Sequence, residues 1–509
     1  METHKTIFER LLEWLRLCWR RIGRVWLVTA RSTEVVLRLS PLIILSPLAL
    51  VSSHIFQSTL GSDLAWNYTI KAIQSMGPVA IKFCQWAATR RDIFPPFLCD
   101  RLSVLHDRGY PHSDDWTDQV LTEAFGDYRS KGLILDDVIG CGSAAQVYRG
   151  KLLTTKPIKN GSPHKNHSCQ GNLYREVAVK VLHPRFQSSV DRDLFFIEIM
   201  ADFLDSLPIE HIKMLNLPRV VEEFSVVLRD QADLTIEAKN LRRFRFNFYK
   251  DSEKREIESS IVFPQPVEGW TSSQVMVEDY VNDAVPIASF LKDSSPEGME
   301  IRKELAGPLL RAFLKMVFTD NYIHCDLHPG NVLVKTALVS KSPSLWNSLF
   351  RGDDSNELED EQIKRSIVFL DAGISTSLSP NDQKNLVDLF RAVIFNDGNR
   401  AGRLMIERAK HERCSEMEGC VDAFADGIQD IVSEFHDRRK EGLTLGAVRI
   451  GVLLSRVLDL CRVYGVEIDP AMANVVISTL VLEGLGRSLS PDLDLLTFAK
   501  PFVLGRGQV

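Results

Sequence analysis

The spacing of hydrophobic and polar positions changes several times along the chain. Over residues 1–38, large apolar side chains recur every three or four positions among arginines, which predicts an amphipathic helix. The next stretch, 39–62, contains no Asp, Glu, Lys or Arg. It predicts either a membrane span or a hydrophobic hairpin packed on the protein's own surface. Residues 1–64 are therefore expected to form a membrane-proximal N-terminal segment.

Residues 65–132 have a helical pattern that is interrupted at Gly77-Pro78, at Pro95-Pro96 and at 109–111. From about residue 133 the pattern changes to β-branched alternation around a glycine turn. This change is typical of an antiparallel hairpin followed by a third strand.

Two polar stretches interrupt the later pattern, at about 152–174 and at about 340–364, and both predict solvated inserted loops. Beyond about residue 380 the amphipathic pattern is again helical. The predicted boundaries beyond the N-terminal segment are a helical extension over 65–132, a small lobe over 133–282 and a large lobe over 283–509.

The amino-acid composition and net charge argue against some classes of protein, such as nucleic-acid-binding proteins and zinc ribbons. The chain has 509 residues, of which 45% are hydrophobic, enough for one large bilobed unit or for two to three ordinary domains. A formal net charge of −6 makes nucleic acid a poor default partner. The nine cysteines include no CxxC pair, which favours a reducing compartment and argues against a zinc ribbon.

A glycine-bearing turn matches the loop that covers phosphates in kinases. The segment from Gly140 to Val147 fits the pattern GxGxxGxV, except that Ala145 replaces the third glycine. Glycine lets backbone N–H groups approach phosphate oxygens without a Cβ atom in the way. We therefore expect Gly140, Gly142, Ser143 and Val147 to bind ATP.

A lysine closes the third predicted strand, in the run Val177-Ala178-Val179-Lys180. In a kinase small lobe, the lysine at this position binds the α and β phosphates of ATP. Lys180 is accordingly expected to anchor the nucleotide.

Two further motifs supply carboxylates and an amide, and they follow the lysine in the same order as in kinase sequences. In HCDLHPGN, Asp326 and Asn331 have the spacing of a kinase catalytic loop, in which the aspartate orients the nucleophile and the asparagine binds Mg²⁺. Asp371 opens a DAG triplet after a hydrophobic strand and matches the metal-binding DFG motif. All four motifs together predict an α+β, bilobed protein-kinase-like fold that binds ATP and Mg²⁺. The sequence has no Walker A, HExxH or GxSxG motif.

The chain departs from ordinary protein kinases. The residue before Asp326 is Cys325, not arginine, and no APE triplet follows the DAG. Upstream, the segment from Gly77 to Pro95, GPVAIKFCQWAATRRDIFP, resembles the KxGQ extension of the UbiB family of atypical kinases, also called aarF-domain-containing kinases. The resemblance continues through VAVKVLHP, IEAKN, HCDLHPGN, DAG and LEGLGRSLSPDLDLL, so it covers about residues 70–495.

The resemblance implies additional site residues. Lys82 and Gln85 of the extension would reach across the cleft where a protein substrate would lie, and Lys82 would pair with Glu237. Together with Asp326 and Lys180 these residues would form the catalytic set, and Glu278 would join the ATP site. An extension that fills the peptide cleft makes protein kinase activity doubtful.

The resemblance also implies a cellular setting. It predicts a kinase or ATPase at a mitochondrial membrane, tied to membrane lipids and coenzyme Q metabolism. Quinone-biosynthesis proteins or a small phenolic lipid would be its partners, and nucleic acid would not. The arginines of residues 1–38 suit a mitochondrial presequence, whereas Glu2, Glu9 and Glu13 do not.

Three positions depart from the family pattern. Cys84 stands where the extension has glycine, and Gly140-Cys141-Gly142-Ser143 replaces an alanine-rich loop. Gln231 falls where the acidic partner of Lys180 is expected, so Asp233 or Glu237 would have to replace it.

Three functions stay open from the sequence. The first is an active Mg²⁺-dependent ATPase or kinase. The second is a nucleotide-binding pseudokinase that acts as a scaffold for lipid or quinone biosynthesis proteins, motivated by Gln231 and the filled cleft. The third is a lipid-handling membrane protein with a vestigial kinase fold, which depends on residues 1–62 alone.

Overall fold

The computed structural model describes most of the chain between residues 29 and 504. The described ranges are 29–38, 40–41, 60–90, 94, 96–102, 105, 111–154, 174–184, 186–208, 217–249, 260–293, 295–340, 361–409, 412–440, 450–468, 470–490 and 495–504. The chain divides into two units. Unit 1 comprises Met1–Thr89, Pro96–Asp107 and Arg185–Leu228, and unit 2 comprises Arg90–Pro95, Arg108–Pro184 and Arg229–Val509.

Helices with complete bounds occur in the two stretches predicted to be helical, 65–132 and beyond 380, and also between Phe186 and Leu314. They are α1 (Leu60–Ser75), α2 (Pro78–Thr89), α3 (Pro96–Leu102), α4 (Asp114–Phe125), α5 (Phe186–Ser206), α6 (Leu217–Gln231), α7 (Leu234–Tyr249), α8 (Ile287–Leu291), α9 (Pro296–Leu314), α10 (Pro380–Ile394), α11 (Gly398–Arg408), α12 (Cys420–Lys440), α13 (Ile450–Tyr464), α14 (Pro470–Leu489) and α15 (Leu495–Val503). Two helices begin at a proline where a break was predicted, Pro78 and Pro96. Proline suits the first helical turn because its missing N–H has no intrahelical partner there.

The strands of the described ranges form three sheets, all in unit 2. The strands are β1 (Leu133–Cys141), β2 (Ala145–Leu153), β3 (Tyr174–Leu182), β4 (Ile261–Val262), β5 (Pro266–Thr271), β6 (Val275–Asp279), β7 (Ala284–Pro286), β8 (Ile323–His324), β9 (Val332–Ser340), β10 (Glu361–Phe369) and β11 (Ser375–Thr376). The first sheet has the order β1-β2-β3-β6-β5, the second has β4-β10-β9-β7, and β8 pairs with β11.

Alternation along β3 explains how the first sheet builds its core. Val177, Val179 and Val181 are fully buried and pack with α4 residues such as Leu121 in one hydrophobic cluster. Successive side chains of a strand point to opposite faces. Lys180 therefore lies on the face away from this core.

The two predicted insertions fall between paired strands. β2 ends at Leu153 and β3 begins at Tyr174, and residues 155–173 of the first insertion lie outside the described ranges. The second insertion, expected at about 340–364, lies between β9 and β10, and residues 341–360 are outside the described ranges. β10 already begins at Glu361, which pairs with Ser340 of β9, because the alternating run EQIKRSIVF can satisfy its backbone groups along β9.

The chain after residue 380 is helical in its described part, as predicted. Phe424, Ile428 and Val432 recur on one face of α12 and are buried in a core with residues of α11 and α13. The predicted α+β, bilobed kinase-like fold is confirmed. A mostly antiparallel sheet lobe precedes a mainly helical lobe.

No helix within the described ranges is both long and apolar enough to cross a membrane. Most of the stretch 39–62, which the sequence offered as a span, lies outside those ranges. The same holds for residues 1–28 of the predicted amphipathic helix, whereas residues 29–38 are helical.

A glycine in β2 provides a test of the first sheet. A Cβ atom on Gly150 would lie 2.6 Å from the backbone oxygen of Ile134, so Gly150→Ala should force the hairpin apart and lower the free energy of unfolding by about 1–3 kcal/mol. Gly484 of α14 is the control. A Cβ atom there meets nothing within 4 Å, and Gly484→Ala should raise stability by about 0.5–1 kcal/mol through helix propensity. Urea denaturation measures both, and equal effects of the two substitutions would contradict the packing.

Candidate active site

In unit 2, the side chain of Lys180 lies between two acidic side chains, Glu237 and Asp371. Its Nζ atom donates to both carboxylate oxygens of Glu237, at 2.9 and 2.8 Å, and lies 3.2 Å from Oδ2 of Asp371. Burial lowers the pKa of Lys180, but the charges of Asp371 and Glu237 outweigh burial and raise that pKa above its ordinary value. The ammonium group therefore stays charged.

Strand register puts other predicted site residues beside Lys180. Val147 and Met276 are its cross-strand partners on β2 and β6, and Glu278 pairs with Ala178. Directly opposed residues share a face of the sheet, so Val147 and Glu278 face the same side as Lys180. Burial raises the pKa of Glu278 to about 8, and the charge of Glu237 adds to the rise.

Helix α7 connects Lys180 to the rest of the site. Glu237, Asn240 and Phe244 recur at intervals of three and four residues and are buried on one face. Asn240 donates from Nδ2 to the backbone oxygen of Ala372 at 2.8 Å and accepts from the hydroxyl of Tyr322 at 2.7 Å. One helix face thus holds both the lysine and the backbone of the DAG triplet.

The hairpin of β9 and β10 brings Asn331 and Asp371 to the same edge of the second sheet. Asn331 precedes β9, and its backbone oxygen accepts from the N–H of Leu370 at 2.9 Å, directly before Asp371. Asp371 has a φ of +47°, a left-handed conformation that is costly for a non-glycine residue and that recurs at functional sites. At Gly373 a Cβ atom would lie 3.1 Å from Oδ1 of Asp371.

Asp326 is held by neighbours within the catalytic loop. Nδ2 of Asn331 donates to Oδ2 of Asp326 at 3.1 Å and to its backbone oxygen at 3.2 Å. This leaves Oδ1 of Asn331 as an oxygen ligand for a cation. Nε2 of His328 lies 3.8 Å from Oδ2 of Asp326.

A buried histidine fixes the loop against the end of β10. The N–H of Asp326 donates to Nδ1 of His324 at 3.2 Å, so the neutral ring carries its proton on Nε2 and donates it to the backbone oxygen of Leu370 at 3.2 Å. Burial lowers the pKa of His324. The neutral ring therefore links the catalytic loop to the residue before Asp371.

The glycine-bearing turn closes tightly between β1 and β2. The N–H of Gly142 donates to the backbone oxygen of Ala145 at 2.9 Å. The hydroxyl of Ser143 is buried and has no hydrogen-bond partner among the described residues. A buried polar atom without a partner is costly, so a ligand oxygen at this turn would relieve the cost.

A chain of side chains ties this turn to α4. His183 must donate from Nε2 to the backbone oxygen of Gly142, 2.9 Å away, because a carbonyl only accepts. Its Nδ1 then accepts from Nδ1 of His112 at 2.8 Å, and Nε2 of His112 accepts from the hydroxyl of Thr117 at 2.9 Å. Burial and the neighbouring His183 lower the pKa of His112 to about 4. Both rings are neutral in this arrangement.

The structure thus brings Lys180, Glu237, Glu278 and Asp371 together, with Asn331 and Asp326 at the adjoining loop. It places the partner of Lys180 at Glu237, one of the two replacements considered. The neutral Gln231 therefore does not leave Lys180 without a close acid, because the carboxylate of Glu237 enters from the first turn of α7.

Lys82 and Gln85 lie on α2 in unit 1, where Nε2 of Gln85 donates to the backbone oxygen of Leu105 at 3.0 Å. Their approach to the nucleotide, and the pairing of Lys82 with Glu237, stay predictions.

Sequence reasoning missed three groups that position the site: Asn240, His324 and the pair of His112 and His183. Asn240 and His324 stand inside the quoted motifs IEAKN and HCDLHPGN, so buried polar residues within those motifs were the available signal. His112 and His183 are 71 positions apart, and no local pattern indicates their contact.

Two family models match the chain. Residues 105–405 match the ABC1 atypical kinase-like domain, and residues 438–494 match the UbiB helical domain.

Curated relatives extend the similarity over nearly the whole chain. A mitochondrial ABC1 family protein of Schizosaccharomyces pombe is 32% identical over 95% of this chain and 72% of its own length. A mitochondrial ABC1 family protein of Saccharomyces cerevisiae is 31% identical over 97% of this chain and 77% of its own length. A probable serine/threonine-protein kinase of Dictyostelium discoideum is 30% identical over 87% of this chain and 65% of its own length.

The ion pair between Lys180 and Glu237 leads to a prediction about the free energy of unfolding. Glu237→Gln leaves a buried ammonium group without its closest full countercharge, so the free energy of unfolding should fall by about 2–4 kcal/mol. Gln231→Ala, at the end of α6, should change it by no more than about 0.5 kcal/mol. Chemical denaturation of both variants is the measurement, and an equally small effect at Glu237 would show that the pair does not hold this part of the fold.

Because His112 and His183 are both neutral in the folded protein, we expect the free energy of unfolding to depend on pH. The folded-state pKa of His112, about 4, lies below the ordinary histidine value of 6.5, so the unfolded chain takes up the proton first as the pH falls. The contribution of neutral His112 to the free energy of unfolding is therefore complete above about pH 6.5 and is lost between about pH 6.5 and 4. Relative to His112→Gln, wild type should lose up to about 1.4 kcal/mol of unfolding free energy per pH unit in this window. A difference that stays constant from pH 7 to pH 5 would refute the neutral pair.

Proposed function

The chain belongs to the ABC1 family of atypical kinase-like proteins, and we propose on this basis that unit 2 binds Mg²⁺–ATP and transfers or hydrolyses its γ-phosphate. The family assignment confirms the UbiB resemblance expected from the motifs. The observation that carries the proposal is Lys180 held by Glu237 at 2.8 Å and lying 3.2 Å from Asp371. A phosphate-binding lysine and a metal-binding carboxylate are needed side by side in phosphoryl transfer.

The residues present fit a nucleotide and a cation. The buried hydroxyl of Ser143 has no partner among the described residues, and a phosphate oxygen would supply one. Asp371 and Oδ1 of Asn331 are hard oxygen ligands of the kind that Mg²⁺ prefers. When bound, Mg²⁺ would neutralise charge that develops on the phosphate oxygens.

Each protein group then has a defined task. Lys180 binds the α and β phosphates through its fixed ammonium group, while Gly140 and Gly142 leave room for those phosphates at the turn. Val147 and Glu278, on the same face of the first sheet, line the nucleotide site. Asp326 orients the attacking hydroxyl or water and is itself oriented by Asn331.

A small acceptor or water suits this site better than a protein substrate. The support is the missing APE triplet and the extension bearing Lys82 and Gln85, which in our proposal occupies the peptide cleft. Lys82 and Gln85 stay in the proposed catalytic set because of the family resemblance.

We place this activity at a mitochondrial membrane. Two of the similar proteins are named mitochondrial, and residues 1–64 combine an amphipathic pattern with an uncharged apolar stretch. A role in coenzyme Q or mitochondrial lipid metabolism follows from the family resemblance. Quinone-biosynthesis proteins or a small phenolic lipid would be the partners.

The scaffold alternative loses one of its two supports. One support was the neutral Gln231 at the position expected for the acid of Lys180, and Glu237 supplies that acid instead. An active enzyme is therefore the function that the geometry favours.

Asp371→Asn tests the proposal. The substitution removes a full charge from the proposed cation site, and ATP turnover should fall by about 100-fold or more. Asp283→Asn is a matched control, because Asp283 also has a positive φ, +57°, and is not among the proposed site residues. Phosphate release from ATP is measured for the purified chain, with anionic vesicles and quinone-like phenols added in turn. A wild-type protein that binds Mg²⁺–ATP but never turns it over would favour the scaffold.

A further inference from the structure

The helices after residue 380 enclose a cavity that the proposed nucleotide site does not use. Residues of α10, α11, α12, α13 and α14 line about 200 Å³ of space. Its surface is almost wholly apolar and includes Leu389, Val393, Met405, Ile431 and Leu453. An apolar cavity with a few polar groups is the usual form of a small-molecule site.

One polar group in the lining lacks a hydrogen-bond partner. Arg408 closes α11 and donates from Nη2 to Asp388 at 3.1 Å. Its Nη1 atom is buried and has no partner within the described part of the chain. A buried N–H donor without an acceptor is costly, and an oxygen of a bound molecule would satisfy it.

The charges around Arg408 favour an uncharged ligand. Asp388 pairs with Arg408 but is shared with Arg391, 3.7 Å away, so it balances only one of the two guanidinium groups. The other ionisable residues of the lining are Asp382 and Glu467, both acidic. Together with Asp388 and Arg391, the lining and its immediate neighbours hold three acids and two guanidinium groups. A carboxylate head would add to this net negative charge, whereas a carbonyl or hydroxyl oxygen meets no such repulsion.

We propose that this cavity binds one uncharged single-chain lipid. Its hydrocarbon chain lies among the five helices, and a carbonyl or hydroxyl oxygen at its end accepts a hydrogen bond from Nη1 of Arg408. The site is separate from the nucleotide-binding residues and does not depend on ATP turnover.

Equilibrium dialysis of the purified full chain with radiolabelled 1-dodecanol tests the proposal, with dodecane and dodecanoate as comparison probes. We expect saturable binding of about one 1-dodecanol per chain. Dodecane, which has no oxygen, and dodecanoate, which is charged, should both bind more weakly. Absence of saturable binding, or tighter binding of dodecanoate, would overturn the proposal.

Two pairs of variants locate the site. Arg408→Met should weaken 1-dodecanol binding about 5- to 10-fold, the effect of one hydrogen bond, and leave dodecane binding unchanged. Arg403→Met, on the same helix but at an exposed residue paired with Asp422, should change neither. Met405→Trp should fill the cavity and abolish binding, whereas Met417→Trp at an exposed position should not.

Circular dichroism and thermal unfolding confirm that each variant is folded. Binding that survives Met405→Trp in a folded protein would place the lipid elsewhere and refute the site. An equal loss in Arg403→Met and Arg408→Met would refute the role of Nη1.

Discussion

The ion pair between Lys180 and Glu237 is the constraint on which the geometry of the site depends. An ammonium group on the inner face of a sheet is unfavourable unless a countercharge is fixed beside it. The carboxylate of Glu237 meets it at 2.8 Å from the first turn of α7. Because the lysine is on β3 and the acid is on a helix, the pair sets the position of α7 relative to the first sheet.

The position of α7 in turn fixes the second sheet. One turn beyond Glu237, Asn240 holds the backbone of Ala372, so Asp371 is held within 3.2 Å of the same lysine. His324 adds a second connection, since its neutral ring joins Asp326 to Leu370. These contacts are buried and directional, and a shift of one partner would leave polar groups unsatisfied. Asp326, Asp371 and Lys180 are therefore positioned by one polar network.

Much of this could be predicted from the sequence because local patterns carry it. Alternation along β3 indicated the strand that carries Lys180, and fixed spacings identified Asp326, Asn331 and Asp371. The partner of Lys180 was harder to place, since an acid six positions from Gln231 reaches the lysine only through the turn between α6 and α7. The contact of His112 with His183 and the cavity beside Arg408 depend on helices and strands that are distant in sequence. Periodicity within one element carries no information about such contacts.

A double-mutant cycle of Mg²⁺–ATP affinity is the most direct test of the claim that Glu237 acts through Lys180. Isothermal titration calorimetry would compare Lys180→Met, Glu237→Gln and the double variant with wild type. If the two residues work as one unit, each single substitution weakens binding about tenfold or more, and the double variant binds no more weakly than Lys180→Met alone. Losses that simply add in the double variant would contradict the central role of the pair.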